Sequence, residues 1–179
     1  MSRRVFLRVG MFAAATSLIP VQTIAAALDI FSEERSLSFH NLHTGEEMKV
    51  NYWEHGRYMP QALADINYIL RDYRTGELKE IDTDLLDLLF TLRRVLENKN
   101  AFTVISGYRS PETNSFLHAI GRCVVKNSMH LYGKAIDIRL PGCELKNLRR
   151  AAVNLKRGGV GYYPASDFVH VDVGRVRYW

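Results

Sequence analysis

The chain has 179 residues, 47% of them hydrophobic, with a formal net charge of +5 and two cysteines. That length suits one domain with its own hydrophobic core and excludes two full ones. The basic residues do not form the aromatic-interleaved stripe that single-stranded nucleic acid binders use, so no nucleic acid partner is expected.

From the N-terminus, S-R-R-V-F-L-R precedes an apolar, small-residue run from Val9 to Ile19, then Pro20 and the small residues T-I-A-A-A-L. This is the architecture of an export signal, cleaved somewhere from Ala25 to Ala27. The motif resembles the twin-arginine signal, with Arg8 where the pattern ends in Lys, and the resemblance implies export of a folded protein to the periplasm. The expected organisation is a signal peptide over residues 1–27 and one domain over 28–179. Losing Arg3, Arg4 and Arg8 removes three charges from the formal +5 and leaves +2, so the whole-chain charge says little about partners. The run from Val9 to Ile19 is short for a bilayer span, so no stable membrane insertion is expected once the signal is removed.

In the domain itself, L-S-F-H-N-L and M-K-V-N-Y-W alternate with period two around H-T-G-E and predict a β-hairpin, with His40 and His43 as surface residues of it. Pro60 opens a predicted helix to about Tyr73, with Leu63, Ile66, Ile69 and Leu70 on one face. A second helix is predicted after Asp82 or Thr83, with a broad stripe from Leu85 to Leu96. F-T-V-I-S (102–106) reads as a strand and Pro111 as the start of a third helix. K-A-I-D-I-R-L is a further strand, E-L-K-N-L-R-R-A-A-V-N-L-K a helix ended by Gly158 and Gly159, and V-G-Y-Y and F-V-H-V-D-V complete the sheet. The order predicts a compact α+β domain with a small, partly antiparallel sheet and flanking helices.

Strand alternation places Ala135, Asp137 and Arg139 on one face and Ile136, Ile138 and Leu140 on the other. It does the same for Phe168, His170 and Asp172 against Val169, Val171 and Val173. His130 lies in the loop before the first of these strands, where Gly133 permits a tight turn. If the strands are neighbours, His130, Asp137 and His170 converge. Two imidazoles and a carboxylate suit a catalytic Zn²⁺ with a fourth position left to water, and the same residues also suit ordinary hydrogen bonding. Cys123 and Cys143 fit a disulfide, two free thiols or a thiolate ligand.

S-x-H-x-x-G-x-A-x-D, filled by Ser128, His130, Gly133, Ala135 and Asp137, resembles the signature of the zinc D-alanyl-D-alanine peptidases, a group shared with lysostaphin-type enzymes and hedgehog domains. G-Y-R-S-P-E-T-N at 107–114, G-G-V-G-Y-Y-P, F-V-H-V-D-V-G, the hairpin N-L-H-T-G-E, R-D-Y-R and the final Trp extend the similarity, most closely to murein endopeptidases of the MepK (YcbK) type. The resemblance implies a hedgehog/DD-peptidase-like fold, zinc on His130, Asp137 and His170, and hydrolysis of diaminopimelate-containing cross-links between peptidoglycan stem peptides, including the L,D kind. It implies that Arg109 binds the substrate carbonyl or the oxyanion, with a loop-holding salt bridge as the other reading. Ser128 is expected to order the His130 loop. Tyr108, Tyr162 and Tyr163 are candidates to line the cleft. Relatives place a His two residues, or an acid three residues, before the last ligand; here Phe168 fills the first position and Asp167 the second. Asp167 is the expected general base, with Asp172 its rival or an orienting partner. A D-alanyl-D-alanine carboxypeptidase and a non-catalytic zinc module that binds murein or a protein are the alternatives.

Overall fold

The computed structural model describes residues 34–121 and 125–179; the expected signal peptide and Cys123 lie outside them. Strand β1 (Arg35–Asn41) turns into β2 (Glu47–Glu54), as the alternation predicts, and β2 continues to a short β3 (Arg57–Tyr58). Asn41 builds the β1–β2 turn, because its Oδ1 accepts from the amides of His43 and Thr44 at 3.0 and 3.3 Å. Its Nδ2 donates to the Ile69 carbonyl at 2.9 Å, which ties the hairpin to the end of the next helix.

That helix, α1 (Pro60–Ile69), starts on proline and stops four residues before the expected Tyr73. Asp72 is the reason: its Oδ1 accepts from the Arg74 amide and its carbonyl from the Gly76 amide, so side chain and backbone close a turn where the helix would have continued. Helix α2 (Thr83–Val95) is capped by Asp82, whose carboxylate accepts from the Asp84 amide at 2.9 Å, and carries Arg93 and Arg94 in its last turn. Leu85, Leu86, Leu88, Leu89 and Leu92 are buried along it, whereas Val95 is exposed.

Strand β4 (Phe102–Ser106), helix α3 (Pro111–Ala119), β5 (Ala135–Arg139), helix α4 (Leu145–Leu155), β6 (Gly159–Tyr163), β7 (Phe168–Asp172) and β8 (Arg177–Tyr178) complete the described chain. Helix α4 ends at Lys156, itself left-handed at φ 52°, and not at the expected Gly158 and Gly159; Gly159 already opens β6.

The strands form one sheet in the order β3-β2-β1-β4-β5-β7-β6-β8. The β1/β4 and β6/β8 pairs are parallel and the others antiparallel, the mixed α+β sheet the sequence predicts. One face carries Leu37, Phe39, Val104, Ile136, Ile138, Val160, Val169 and Val171 into a core with α1, α2 and α4. Burial on this face fixes the register, because a slip of one residue would send the valines to solvent and Asp137 and His170 into the core. No helix of the described residues is long and apolar enough to cross a membrane. Among the described residues Cys143 is a free thiol, 3.6 Å from the Glu144 carbonyl, and Cys123, its candidate disulfide partner, lies outside them.

Candidate metal centre

The opposite face of the sheet holds the ionisable residues, and the register brings them together. Asp137 of β5 pairs directly with His170 of β7, and Gly161 of β6 pairs with His170 from the other side. His130 arrives from a 3-10 turn over Met129–Tyr132, capped by the Ser128 hydroxyl, which accepts from the His130 amide at 3.4 Å. Gly133 ends this turn at φ +66°, and a Cβ there would collide with the Glu80 carbonyl. Two further backbone bonds clamp the turn: the Arg109 amide donates to the His130 carbonyl and the Asp82 amide to the Gly133 carbonyl.

His130 Nε2, Asp137 Oδ1 and His170 Nδ1 lie 3.2, 3.1 and 2.8 Å from one another. Bonds of about 2.0–2.1 Å to a tetrahedral zinc put ligand atoms about 3.3 Å apart, so the spacing fits such an ion. Among the described residues this is the one histidine, cysteine or carboxylate group that could hold a metal.

The outer atoms of the three side chains strengthen the fit. His130 Nδ1 sits 2.7 Å from the Gly107 carbonyl, which only accepts, so the proton is on Nδ1 and Nε2 keeps its lone pair. His170 Nε2 sits 3.0 Å from Asp172 Oδ2, which leaves Nδ1 to turn inward. Asp137 Oδ2 receives a 3.4 Å contact from Arg109, leaving Oδ1 for the cluster. Each candidate ligand is thus oriented by a partner behind it, the arrangement that metal sites use.

Electrostatics agree. Burial pushes the His130 pKa down. Burial also opposes ionisation of Asp137, yet the facing His130 and His170 hold it well below the usual carboxylate range. For His170 burial acts downward, but its hydrogen bonds to the Asp137 and Asp172 carboxylates outweigh it and raise the pKa to about 9. A cation is what this buried set, with its ionised carboxylate, asks for.

A family model described as "Peptidoglycan L,D-endopeptidase MepK" (Peptidase_M15_2) matches residues 30–179. The chain belongs to this family. Its similarity to family proteins runs nearly end to end. The Peptidoglycan L,D-endopeptidase MepK of Escherichia coli K12 is 40% identical over 99% of this chain and 97% of its own. The same-named protein of Shigella flexneri matches equally, and the probable MepK of Haemophilus influenzae is 37% identical over 99% of this chain and 95% of its own. Family membership agrees with the fold, with a peptidase and with a metal-holding cluster.

The remaining site expectations divide. Arg109 is buried beside the ligands, with Nη2 3.4 Å from Asp137 and 3.3 Å from the Ser106 hydroxyl. Asp172 is enclosed: at 0% exposure its carboxylate accepts from His170, from both Arg177 Nη atoms and from the Gly159 and Gly174 amides. Burial disfavours its charge, and these donors nevertheless hold its pKa well below the usual range. It orients His170. Asp167 stands three residues before β7's His170, is largely exposed, and forms an ion pair with Arg139 at 3.1 Å.

Tyr108 and Tyr162 depart from the expected cleft. Tyr108 is buried in the core with its hydroxyl donating to Glu77 at 3.3 Å. Tyr162 pairs with Val169 and therefore points to the core face, beneath the Arg149 guanidinium. Tyr163 is on the site face, stacked on Phe168 at 4.6 Å. The sequence reading missed the Trp179 ring, which lies 5.3 Å from the His170 ring and donates from Nε1 to the Tyr163 hydroxyl at 2.7 Å. Gly161 was the available signal, since a Cβ at this cross-strand neighbour of His170 would strike the indole.

Proposed function

We propose that the chain is an exported, zinc-dependent murein endopeptidase that hydrolyses diaminopimelate-containing peptide cross-links, the L,D kind included, as the cell wall is enlarged. The observation that carries this reading is the convergence of three lone pairs, His130 Nε2, Asp137 Oδ1 and His170 Nδ1, at tetrahedral spacing with a partner behind each. The names of the family proteins supply the substrate class. The N-terminal S-R-R-V-F-L-R and its apolar run support the periplasm as the place of action.

Zinc bound to this set would act as a Lewis acid toward the scissile carbonyl and lower the pKa of water. The chain's own residues do the rest. Gly107 and Asp172 keep the two imidazoles in the ligating tautomer, so no proton has to leave the metal-facing nitrogens of neutral rings. Arg109 is fixed by Ser106 and Asp137 in a buried place, where a guanidinium stabilises charge developing on the carbonyl oxygen more strongly than it would in water. Tyr163 and Phe168 offer an aromatic wall beside the ligands.

A non-catalytic zinc module that binds murein draws on one observation: both acids near the last ligand have engaged carboxylates, Asp167 with Arg139 and Asp172 with His170 and Arg177. Incubating the purified protein, with and without zinc, with defined cross-linked muropeptide dimers and weighing the products by mass spectrometry decides the matter. Zinc-dependent conversion of dimers to monomers is the expected result. Loss of a terminal D-alanine alone would make the protein a carboxypeptidase, and zinc binding without any product would make it the silent module.

A further inference from the structure

The strand register gives the ligand row two neighbouring rows on the same face. Thr103 pairs with Arg139 and Tyr163 with Phe168, in the register that sets Asp137 opposite His170. Thr103, Arg139, Phe168 and Tyr163 therefore form a row two residues, about 7 Å, along from Asp137, His170 and Gly161. The row on the other side, Ala135, Asp172 and Gly159, is closed: Asp172 is fully buried and Arg177 lies on its carboxylate. A substrate leaving the ligands along the strands runs over Arg139 and the stacked Phe168 and Tyr163 rings.

Arg139 is poorly satisfied where it stands. Its Nη1 is 3.1 Å from Asp167 Oδ2, with the two side chains 35% and 62% exposed, and its Nε is buried with no hydrogen-bond partner among the described residues. A pair this exposed is weak. Asp167 adopts a left-handed backbone, φ 52°, at the entrance to β7, and its carboxylate meets Arg139, which strand alternation places on the face of Asp137. The guanidinium thus holds one loosely bound, solvent-facing carboxylate and can exchange it for another, a task that its planar fork performs well.

We propose that Arg139 is a specificity residue that binds the free carboxylate beside the scissile amide nitrogen of the cross-link, displacing Asp167. The inference rests on the murein endopeptidase reading. In a diaminopimelate cross-link the carbon that bears the amide nitrogen also bears a carboxylate, whose carbon lies about 2.5 Å from that nitrogen by standard geometry. With the scissile carbonyl at the ligands, this carboxylate falls within one strand step, toward Arg139 and away from the closed row. Asp167 holds the guanidinium in place until substrate arrives.

The test uses the zinc-loaded protein and two matched cross-linked dimers, one with the amine-side diaminopimelate carboxylate free and one with it amidated. Arg139→Gln is expected to raise KM for the free dimer about twofold to fivefold, the loss of a partly exposed charged contact, with kcat nearly kept. The amidated dimer should be cut by Arg139→Gln as by the wild type, which also shows that the variant is folded. Arg139→Lys should recover part of the preference, and Asp167→Asn should lower KM for the free dimer. Equal losses on both dimers, or a wild type indifferent to amidation, would overturn the assignment while leaving the endopeptidase intact. Equilibrium binding of the monomeric, diaminopimelate-terminated product separates the two ideas. Arg139-dependent preference for the free carboxylate without any cleavage would keep the site and reject the endopeptidase.

Discussion

Asp172→Asn distinguishes an orienting carboxylate from a catalytic base with one atom exchanged. In the structure Asp172 Oδ2 faces His170 Nε2 at 3.0 Å and Arg177 Nη2 at 2.7 Å, while Oδ1 takes the Gly159 and Gly174 amides. The amide oxygen of the variant can keep the two backbone donors, which leaves its NH2 group pointing at two other donors. His170 must then move its proton to Nδ1, the nitrogen that should face the metal, or turn away. Loss of such a partner typically costs ten- to a hundredfold in metal affinity, about 1.4–2.7 kcal/mol. The lost charged hydrogen bonds to His170 and Arg177 should also lower stability by about 1.5–3 kcal/mol, with the Arg177 share at the low end because that side chain is one-third exposed. Zinc affinity read by competition with a chelating dye, beside turnover at saturating zinc, gives the answer. The expected result is weaker zinc binding and a turnover that excess metal largely restores. Unchanged affinity with turnover abolished would refute the reasoning and return Asp172 to the role of base.

Other expectations are as direct. Gly133→Ala should destabilise the fold by several kcal/mol, from its positive φ and the collision with the Glu80 carbonyl, and should weaken zinc retention, as melting curves with and without zinc would reveal. Arg109→Ala should retain stoichiometric zinc and lose about 10²–10³ in kcat; lost zinc would make Arg109 a holder of Asp137 instead. Tyr108→Phe should leave KM and kcat close to wild type and cost about 1 kcal/mol, since it removes only the Glu77 contact; a large rise in KM would restore Tyr108 to the cleft.

Period-two alternation made most of the ligand set legible. Wherever Ile136, Ile138, Val169 and Val171 go inward, Asp137 and His170 must emerge on the other face, and direct pairing of β5 with β7 then makes them adjacent. Strand order was not written in that pattern, so the convergence itself needed the structure. The same rule correctly applied to β6 would have turned Tyr162 inward and Tyr163 outward, because Gly161 sits opposite His170. Tyr108 failed differently: it lies in a loop, where no periodicity exists and where the Leu70 carbonyl, accepting its amide at 2.7 Å, fixes its direction. The surroundings of the two acids were not legible in the sequence for a similar cause. Asp167 and Asp172 are each within three residues of His170, but only tertiary partners, Arg139 for one and Arg177 with two backbone amides for the other, decide what their carboxylates can do. Helix α1 ended early because an aspartate four residues before Gly76 competes with the helix for backbone donors, a local signal that its apolar stripe obscured.

The central claim is that His130, Asp137 and His170 hold one zinc through named atoms. Crystals of the zinc-loaded protein, with anomalous scattering measured on both sides of the zinc edge, test it most directly. The account predicts a single strong peak about 2.0–2.2 Å from His130 Nε2, Asp137 Oδ1 and His170 Nδ1, with Asp172 still behind His170 Nε2. A peak on other residues, or His170 bound through Nε2 with Asp172 released, would contradict it.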